Sequence, residues 1–226
     1  VQAHELAHQW WGNLVTEQSG ADHWLHEGFA TFYAQEVERQ IPGEEWYYWY
    51  MLDKALQLEK SKGESLLNPK ASSLTFYEKG AWAALMLNEE VGKDTFRKGI
   101  ESFVSKYAFQ NATLSQFFEV MEDSCACSLD DFYNIWFIAK NFPYQQCEDL
   151  LREKSLSIRL FKELQQELTV SPDANELIIR KNWKDYKDPM LKGRIILRYS
   201  KSLSEDFLKE VAREGLYEVR QAISVS

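Results

Sequence analysis

The sequence predicts an all-α fold, and three observations support this. Apolar residues recur at helical spacing, as in the series Phe96, Ile100, Phe103 and Tyr107. Glycine, asparagine and proline separate these periodic stretches, as expected at helix ends. The alternating pattern typical of half-buried strands is weak throughout. The chain of 226 residues is long enough for one large domain or for a domain and part of another.

Seven helices are predicted in the first part of the chain. The first ends at Gly12-Asn13 and the second at Ile41-Pro42-Gly43. The sixth has Thr113 or Ser115 as its cap, and the seventh begins with a capping-box variant at Ser128. The first five predicted helices span residues 1–12, 24–40, 44–60, 76–91 and 94–106.

The remaining sequence predicts one long helix over 148–168, an irregular basic stretch and then helix pairs to the end. The segment "LKEVAREGLYEVRQAIS" resembles a HEAT-like helix, which would suit a stacked helical domain. Residues 1–147 carry 11 basic and 21 acidic side chains (−10), whereas residues 148–226 carry 15 and 14 (+1). With Pro143 interrupting the pattern, this asymmetry predicts two domains, 1–145 and 146–226.

Composition excludes several classes of protein. A hydrophobic content of 45% favours a folded chain, and no apolar run approaches the roughly 20 residues of a membrane helix. A nucleic-acid partner is not expected, because no basic face accompanies the acidic first part. The three cysteines, Cys125, Cys127 and Cys147, are an odd number, so no disulfide framework is expected, and the absence of a CxxC pair gives no indication of a thiolate metal site. The compartment is left open.

The sequence "HELAH", residues 4–8, has the spacing of a metal site on a helix. His4 and His8 lie one turn apart on one face, so both imidazoles can reach the same ion. Glu5 is rotated by about 100° from His4. Its carboxylate would therefore lie beside the ion, where it can take a proton from bound water. The alternative is a surface helix with two incidental histidines.

A third ligand candidate, Glu27, is separated from His8 by 18 residues and lies on the second predicted helix. A catalytic zinc usually takes three protein ligands and keeps one position for water. Two helices crossing with inward-facing ligands would form such a site. Taken alone, Glu27 could equally be a solvated carboxylate.

These residues carry a family resemblance. "HELAHQWWGN", the 18-residue spacer and "WLHEGFA" together resemble the M1 family of zinc aminopeptidases, the gluzincins, and "TFYEKGAW" resembles the family segment that holds a catalytic tyrosine. The resemblance covers about residues 1–145. It implies the helical half of a thermolysin-like catalytic domain, followed by a helical C-terminal domain.

The resemblance also implies roles. His4, His8 and Glu27 would hold one Zn²⁺ per chain, and Glu5 would be the general base. Tyr77 would donate a hydrogen bond to the oxyanion of the tetrahedral intermediate, a task that suits a phenol neutral at pH 7. On its own, Tyr77 is one of eleven tyrosines and would be assigned to packing.

Three positions depart from the family pattern. His26 stands where the family commonly has asparagine; we interpret it as a packing residue or a support to the ligands rather than a fourth ligand, because neighbouring helical residues diverge by about 100°. Many relatives have an acidic residue where this chain has Ala34, and Glu36 is an imperfect substitute. The GxMEN motif, whose glutamate reads the substrate's α-amino group in the family, is absent from the sequence. We therefore expect a fragment that lacks its N-terminal half.

Two further stretches have alternative interpretations. The aromatic run in residues 44–60 could line a substrate pocket, pack in a core, or be exposed and promote association. The basic stretch 180–201 could bind a peptide's C-terminal carboxylate through Lys192, Arg194 or Arg198, although a solvated helix face is the more ordinary interpretation.

The leading hypothesis is a zinc-dependent aminopeptidase fragment. The parent would remove N-terminal residues from peptides by attack of zinc-activated water, and the fragment itself would have little or no activity. Its expected partners are peptide substrates and the missing N-terminal half, without nucleic acid or membrane. The alternatives are a thermolysin-like endopeptidase and a non-catalytic helical scaffold with a relic zinc site.

Overall fold

The computed structural model describes residues 2–168 and 171–225, apart from the side chains at 172 and 173, and confirms the all-α prediction. Within these described residues, the α-helices are accompanied by two π-helical segments, Leu74–Lys79 and Asn134–Ile138, and two 3₁₀ turns, Gly20–Asp22 and Ser200–Ser202. The α-helices are α1 Gln2–Ala7, α2 Trp24–Arg39, α3 Glu44–Lys60, α4 Gly80–Val91, α5 Lys93–Lys106, α6 Leu114–Cys125, α7 Asp130–Tyr133, α8 Tyr144–Lys154, α9 Leu156–Glu167, α10 Pro172–Asn182, α11 Pro189–Tyr199, α12 Glu205–Ala212 and α13 Tyr217–Val225.

Two short strands accompany the helices: β1, Val15–Glu17, and β2, Gln110–Ala112. They pair in parallel, with Thr16 opposite Asn111. Because β1 lies between α1 and α2, this pairing fixes the connection between the two helices that carry the predicted metal ligands.

The chain forms two compact units, residues 1–149 and residues 150–226. The domain assignment made from the sequence, 1–145 and 146–226, remains a prediction about folding units. Among the described residues, no helix has both the length and the apolar character needed to cross a bilayer.

The core of the first unit is aromatic. Trp24 is completely buried, and its ring contacts Phe29, Phe117 and Phe137 at centroid distances of 4.6, 5.4 and 4.8 Å. Trp11 stacks on Phe29 at 3.9 Å. Full burial of side chains of this size stabilises a fold by about 1.5–3 kcal/mol each, so this cluster anchors α2 to the helices around it.

The aromatic run of α3 belongs to this core. Tyr47, Trp49, Met51 and Ala55 are all buried, which supports the packing interpretation of the run. Some exposed apolar surface lies beside α1 instead: Leu6, Trp10 and Val37 are 60%, 50% and 53% exposed. They line a largely apolar groove of about 620 Å³ beside α1.

Helix ends follow local chemistry, and some differ from the predicted ones. Thr113 caps α6 in a capping box with Gln116, as one of the two predicted caps. At α7, however, Leu129 is the N-cap residue, and Ser128 instead accepts a hydrogen bond from the Asp130 N–H at 3.2 Å. The predicted single helix over 148–168 is wrong: Ser155 has extended backbone and caps a new helix, α9, by accepting the Ile158 N–H at 3.1 Å.

A disulfide joins Cys125 to Cys127, although the odd cysteine count led us to expect no disulfide framework. Ala126 between them adopts a left-handed conformation (φ 52°, ψ 40°) as the C-cap residue of α6. This local turn brings the two Cα atoms to 5.2 Å, a distance within the normal range for a bridge. Cys147 is a buried free thiol, and burial raises its pKa.

The second unit consists largely of α9–α13, and several of its glutamates pair with basic residues of the predicted basic stretch. Lys192 donates to Glu214 at 2.9 Å, and Arg180 donates to Glu176 at 2.7 Å. Trp183 donates to the same Glu214 at 2.8 Å. Since Lys192 is buried and paired, the structure favours a structural role for it over binding of a peptide carboxylate.

Candidate metal centre

The three predicted metal ligands come together between α1 and α2. The Nε2 atoms of His4 and His8 are 3.2 Å apart. Glu27 Oε2 lies 3.1 Å from His4 Nε2 and 3.7 Å from His8 Nε2. A tetrahedral zinc ion with bonds of about 2.0–2.1 Å keeps its ligands about 3.3 Å apart. The triangle of donor atoms therefore has the dimensions of a zinc site, in half-buried surroundings.

The one-turn spacing of His4 and His8 is kept although α1 is shorter than predicted. The first helix was expected to reach Gly12, but α1 ends at Ala7. The His8 N–H still bonds to the His4 carbonyl at 3.3 Å, so the two rings remain one turn apart. The chain then turns, with the Gly12 N–H bonded to the Val15 carbonyl at 2.9 Å and Gly12 at φ +145°. This positive φ suits glycine and lets the chain turn into β1.

Backbone and side-chain groups outside the triangle orient the imidazoles. His8 Nδ1 donates to the Trp11 carbonyl at 2.9 Å, which leaves the lone pair of Nε2 facing the other ligands. His4 Nδ1 lies 3.5 Å from Thr31 Oγ1. Ala34, by contrast, is buried and has no polar side-chain atom, and Glu36 pairs with Arg39 at 3.3 Å. Neither support was predicted from the sequence: the Trp11 carbonyl is a main-chain atom with no sequence signature, and Thr31 approaches His4 only through the packing of α2 against α1.

Glu5 and Tyr77 border the same space. Tyr77 stacks on His4, with ring centroids 5.4 Å apart and planes at 10°. Burial raises the pKa of Tyr77; the hydrogen bond with Glu27 and the charges of Glu27 and Glu5 raise it further. Glu5 is exposed. The three ligands and Tyr77 are therefore neighbours, and the Glu5 carboxylate is close enough to raise the pKa of Tyr77.

Tyr77 is carried by the π-helical segment Leu74–Lys79, a form of helix that often occurs at functional sites. The residues that follow Tyr77 within this segment connect it to neighbouring elements. Glu78 pairs with Lys54 at 2.8 Å, and Gln35 donates to Glu78 at 3.4 Å.

Lys79 is a second anchor of the π-helical segment. The residue is 2% exposed, and its ammonium donates to the carbonyls of Glu64 at 2.9 Å, Ala139 at 2.8 Å and Lys140 at 3.5 Å. Burial lowers the pKa of Lys79 to about 8. This one side chain connects the tyrosine segment to two loops of the first unit.

A second cluster, formed by Glu17, His23 and His26, lies beside the ligands. His23 Nδ1 is 2.8 Å from Glu17 Oε2, and His26 Nε2 accepts the Glu17 backbone N–H at 2.9 Å. Burial lowers the pKa of His26, and the Glu17 charge opposes this. His26 thus bonds to β1 rather than to the ligand triangle, in line with our interpretation of it as a support. Glu17 and His23 were not identified from the sequence.

Comparison with known proteins agrees with this geometry. Residues 1–136 match the peptidase family M1 domain. The chain is 29% identical over 171 residues to the glutamyl aminopeptidase of Sus scrofa, covering 66% of this chain and 17% of that protein. It is 33% identical over 155 residues to aminopeptidase M1-B of Oryza sativa subsp. japonica, covering 62% and 18%. The chain thus spans about a sixth of the length of these curated relatives.

Solved structures show the same fold. A mutant M1 zinc metallopeptidase from Deinococcus radiodurans, bound to a Tyr-Ser-Ala substrate, superposes with a TM-score of 0.56 at 22% identity, over 63% of this chain and 33% of that one. Leukotriene A4 hydrolase from Saccharomyces cerevisiae superposes with a TM-score of 0.54 at 20% identity, over 98% of this chain and 39% of that one. These likenesses show that the helical fold of this chain also occurs in solved structures. With its family match over more than half of its length, the chain belongs to peptidase family M1.

Proposed function

We propose that this chain carries the zinc site of an M1 metallopeptidase that removes N-terminal residues from peptides. The observation that carries the proposal is the triangle of His4 Nε2, His8 Nε2 and Glu27 Oε2, with edges of 3.1–3.7 Å. Two imidazoles and one carboxylate are a donor set of catalytic zinc sites, and three ligands leave a coordination position open. The residues present therefore fit the ion.

Each side chain has a distinct task. Bound zinc would supply a Lewis acid that makes water a better nucleophile at neutral pH. Glu5 is exposed beside the ligands and can hold the proton that water gives up, then pass it to the leaving amine. Tyr77, 37% exposed, keeps a phenolic proton that it can donate to the oxyanion of the peptide under attack. His8 is held in the required tautomer by the Trp11 carbonyl.

Exopeptidase specificity is supported by the relatives, several of which are named aminopeptidases. A thermolysin-like endopeptidase remains the alternative with the same chemistry. Aminoacyl chromogenic substrates and the same compounds with an acetylated amine, tested on the full-length protein, distinguish the two. We expect cleavage only when the amine is free; cleavage of acetylated peptides at internal bonds would favour the alternative.

The 226-residue chain by itself should have little turnover. It has no GxMEN motif, so the group that reads the substrate's amine in this family is not among its residues. The measurement is hydrolysis of aminoacyl chromogenic substrates by the purified chain and by the full-length protein. Robust turnover by the chain alone would contradict this expectation.

Zinc content tests the site directly. We expect the purified chain to bind one zinc ion, and we expect His4→Ala and Glu27→Gln to abolish tight binding. Glu119→Gln is the matched control, because Glu119 is an exposed carboxylate on α6. Absence of zinc from the unmodified chain, or equal zinc in Glu27→Gln, would favour the non-catalytic scaffold.

A further inference from the structure

The Glu17 cluster, defined as Glu17, His23 and His26, joins the two parts of the candidate metal centre. Glu17 is the last residue of β1, the strand that follows the segment carrying His4 and His8. His23 is the N-cap residue of α2, and His26 lies in the first turn of that helix, directly before Glu27. The cluster therefore connects the strand behind the two histidine ligands to the helix of the carboxylate ligand.

Hydrogen bonds determine the tautomer of the His23 and His26 rings. The Glu17 backbone N–H donates to His26 Nε2 at 2.9 Å, so this nitrogen holds a lone pair. In the neutral ring the proton is then on Nδ1, which faces Glu17 Oε2 at 3.4 Å. His23 Nδ1 donates to the two carboxylate oxygens of Glu17 at 2.8 and 3.0 Å. Glu17 thus holds His26 through both its backbone and its side chain.

The same bonds oppose a second metal ion at the cluster. An ion held by Glu17, His23 and His26 would need the lone pair of His26 Nδ1. Because His26 Nε2 already accepts the Glu17 N–H, a metal at Nδ1 would require an imidazole with no proton at all. That anionic form is costly, so the cluster is better suited to hydrogen bonding than to ligation.

The Glu17 cluster also lies close to the carboxylate of the proposed ligand Glu27. His23 Nε2 is 4.0 Å from Glu27 Oε1, on the side of the carboxylate away from His4 and His8. On the other side of the strand, Thr16 donates to the Gly12 carbonyl at 2.8 Å, which ties β1 to the turn after His8. A continuous set of hydrogen bonds therefore runs from the His8 turn through β1 to the first turn of α2.

We propose that Glu17 and His26 are positioning residues that hold Glu27 at ligand distance from the two histidines before the metal binds. This inference rests on the proposed zinc site. Groups that orient metal ligands from outside the coordination sphere are commonly responsible for 10–100-fold in metal affinity. In this chain the orienting groups act on the helix that carries Glu27 rather than on the carboxylate alone.

The test is the zinc affinity of the 226-residue chain, measured by competition with a chromogenic chelator at neutral pH. His26→Leu removes the acceptor for the Glu17 N–H, and we expect it to weaken zinc binding about 10–100-fold. His26→Gln can place an amide oxygen near the position of Nε2, and we expect it to restore affinity to within about threefold of the unmodified chain. A role in packing alone would not separate the two variants in this way.

The stability of each variant is measured as a separate control. The melting temperature of each metal-free variant is measured, together with Val120→Ala, a buried truncation on α6. We expect Val120→Ala to lower the melting temperature while leaving zinc affinity unchanged. Zinc affinity that simply follows melting temperature across the variants would overturn the inference.

The outcomes separate the inference from the proposed function. No zinc in the unmodified chain would contradict the proposed function itself. One zinc ion with equal affinity in the unmodified chain and His26→Leu would overturn only the positioning role. Two zinc ions per chain, the second lost in Glu17→Gln, would show that the cluster is a ligand site instead.

Discussion

Gly28 on α2 and Gly80 at the start of α4 are in direct backbone contact: a Cβ atom on Gly80 would lie 2.9 Å from the Gly28 Cα. Trp24 covers the contact, and its indole N–H donates to the Gly80 carbonyl at 2.8 Å. Glu27 precedes Gly28, and the Tyr77 segment ends at Lys79, immediately before Gly80. The glycine contact therefore sets the distance between the third ligand and the tyrosine.

We expect Gly28→Ala to destabilise the protein by about 2–3 kcal/mol. The added Cβ would lie 2.3 Å from Trp24 Cδ1, and a fully buried indole has no space to move. Gly99→Ala is the comparison: its Cβ would lie 2.6 Å from Met121 Sδ, but an unbranched thioether can change rotamer where an indole cannot, and alanine has the higher helix propensity. Chemical denaturation of both variants checks this; equal stability would show that the glycine contact is not tightly packed.

Tyr77→Phe should separate catalysis from metal binding. Phenylalanine keeps the stack on His4 but loses the hydroxyl that bonds to Glu27. We expect one zinc ion still to bind, and in a form of the protein that turns over peptides we expect kcat to fall about 10²–10³-fold with little change in KM. Tyr107→Phe, on the short segment between α5 and β2, is the control. A variant with unchanged kcat would remove Tyr77 from the proposed mechanism.

Lys79→Met should cost about 1–3 kcal/mol of stability. The substitution keeps the length of the side chain, but it leaves the Glu64 and Ala139 carbonyls without the donor that the ammonium supplies. Lys98→Met on α5 is the control, since Lys98 is exposed and should tolerate the change within about 0.5 kcal/mol. Urea unfolding curves measure both. Similar midpoints for the two variants would mean that Lys79 does not anchor the tyrosine segment.

The sequence was sufficient to predict the helical class and the one-turn spacing of His4 and His8, because both follow from local periodicity. The convergence of Glu27 on the two histidines was expected from the family resemblance of the segments that contain them. His4 and His8 are one turn apart in any helical turn, and Glu27 lies on the next amphipathic segment. The prediction tolerated an error in the length of α1, since the bond from the His8 N–H to the His4 carbonyl keeps the turn even after the helix ends at Ala7.

Other features could not be predicted, because they depend on contacts distant in sequence or on main-chain atoms. The Trp11 carbonyl orients His8, whereas the Trp11 side chain packs on Phe29, so the residue type does not indicate this contact. The helix break at Ser155 was not predicted, because the surrounding sequence has continuous helical periodicity. The buried Ser155 side chain caps a new helix at this point. Glu17 and His23 look like ordinary loop residues until β1 pairs with β2, which lies nearly a hundred residues further along the chain.

A pH dependence should arise at Glu64, whose carboxylate accepts hydrogen bonds from Ser72 Oγ, the Ser72 N–H and Thr75 Oγ1. These bonds, first that from the Ser72 hydroxyl, lower the pKa of Glu64 below its ordinary value of 4.5. The unfolded chain therefore takes up this proton at a higher pH than the folded chain does. The resulting stabilisation is fully present above the ordinary pKa and is lost as the pH falls through the lowered value.

Glu64→Gln isolates this contribution. At neutral pH we expect the variant to be less stable by about 1 kcal/mol, since the carboxylate is partly solvated and screening limits the gain. The difference in melting temperature between the unmodified protein and the variant should shrink as the pH falls below 4.5. Glu119→Gln, an exposed control, should show no such trend. If the difference for Glu64→Gln stays constant down to the acid limit of the fold, the hydrogen bonds from Ser72 and Thr75 do not favour the charged carboxylate.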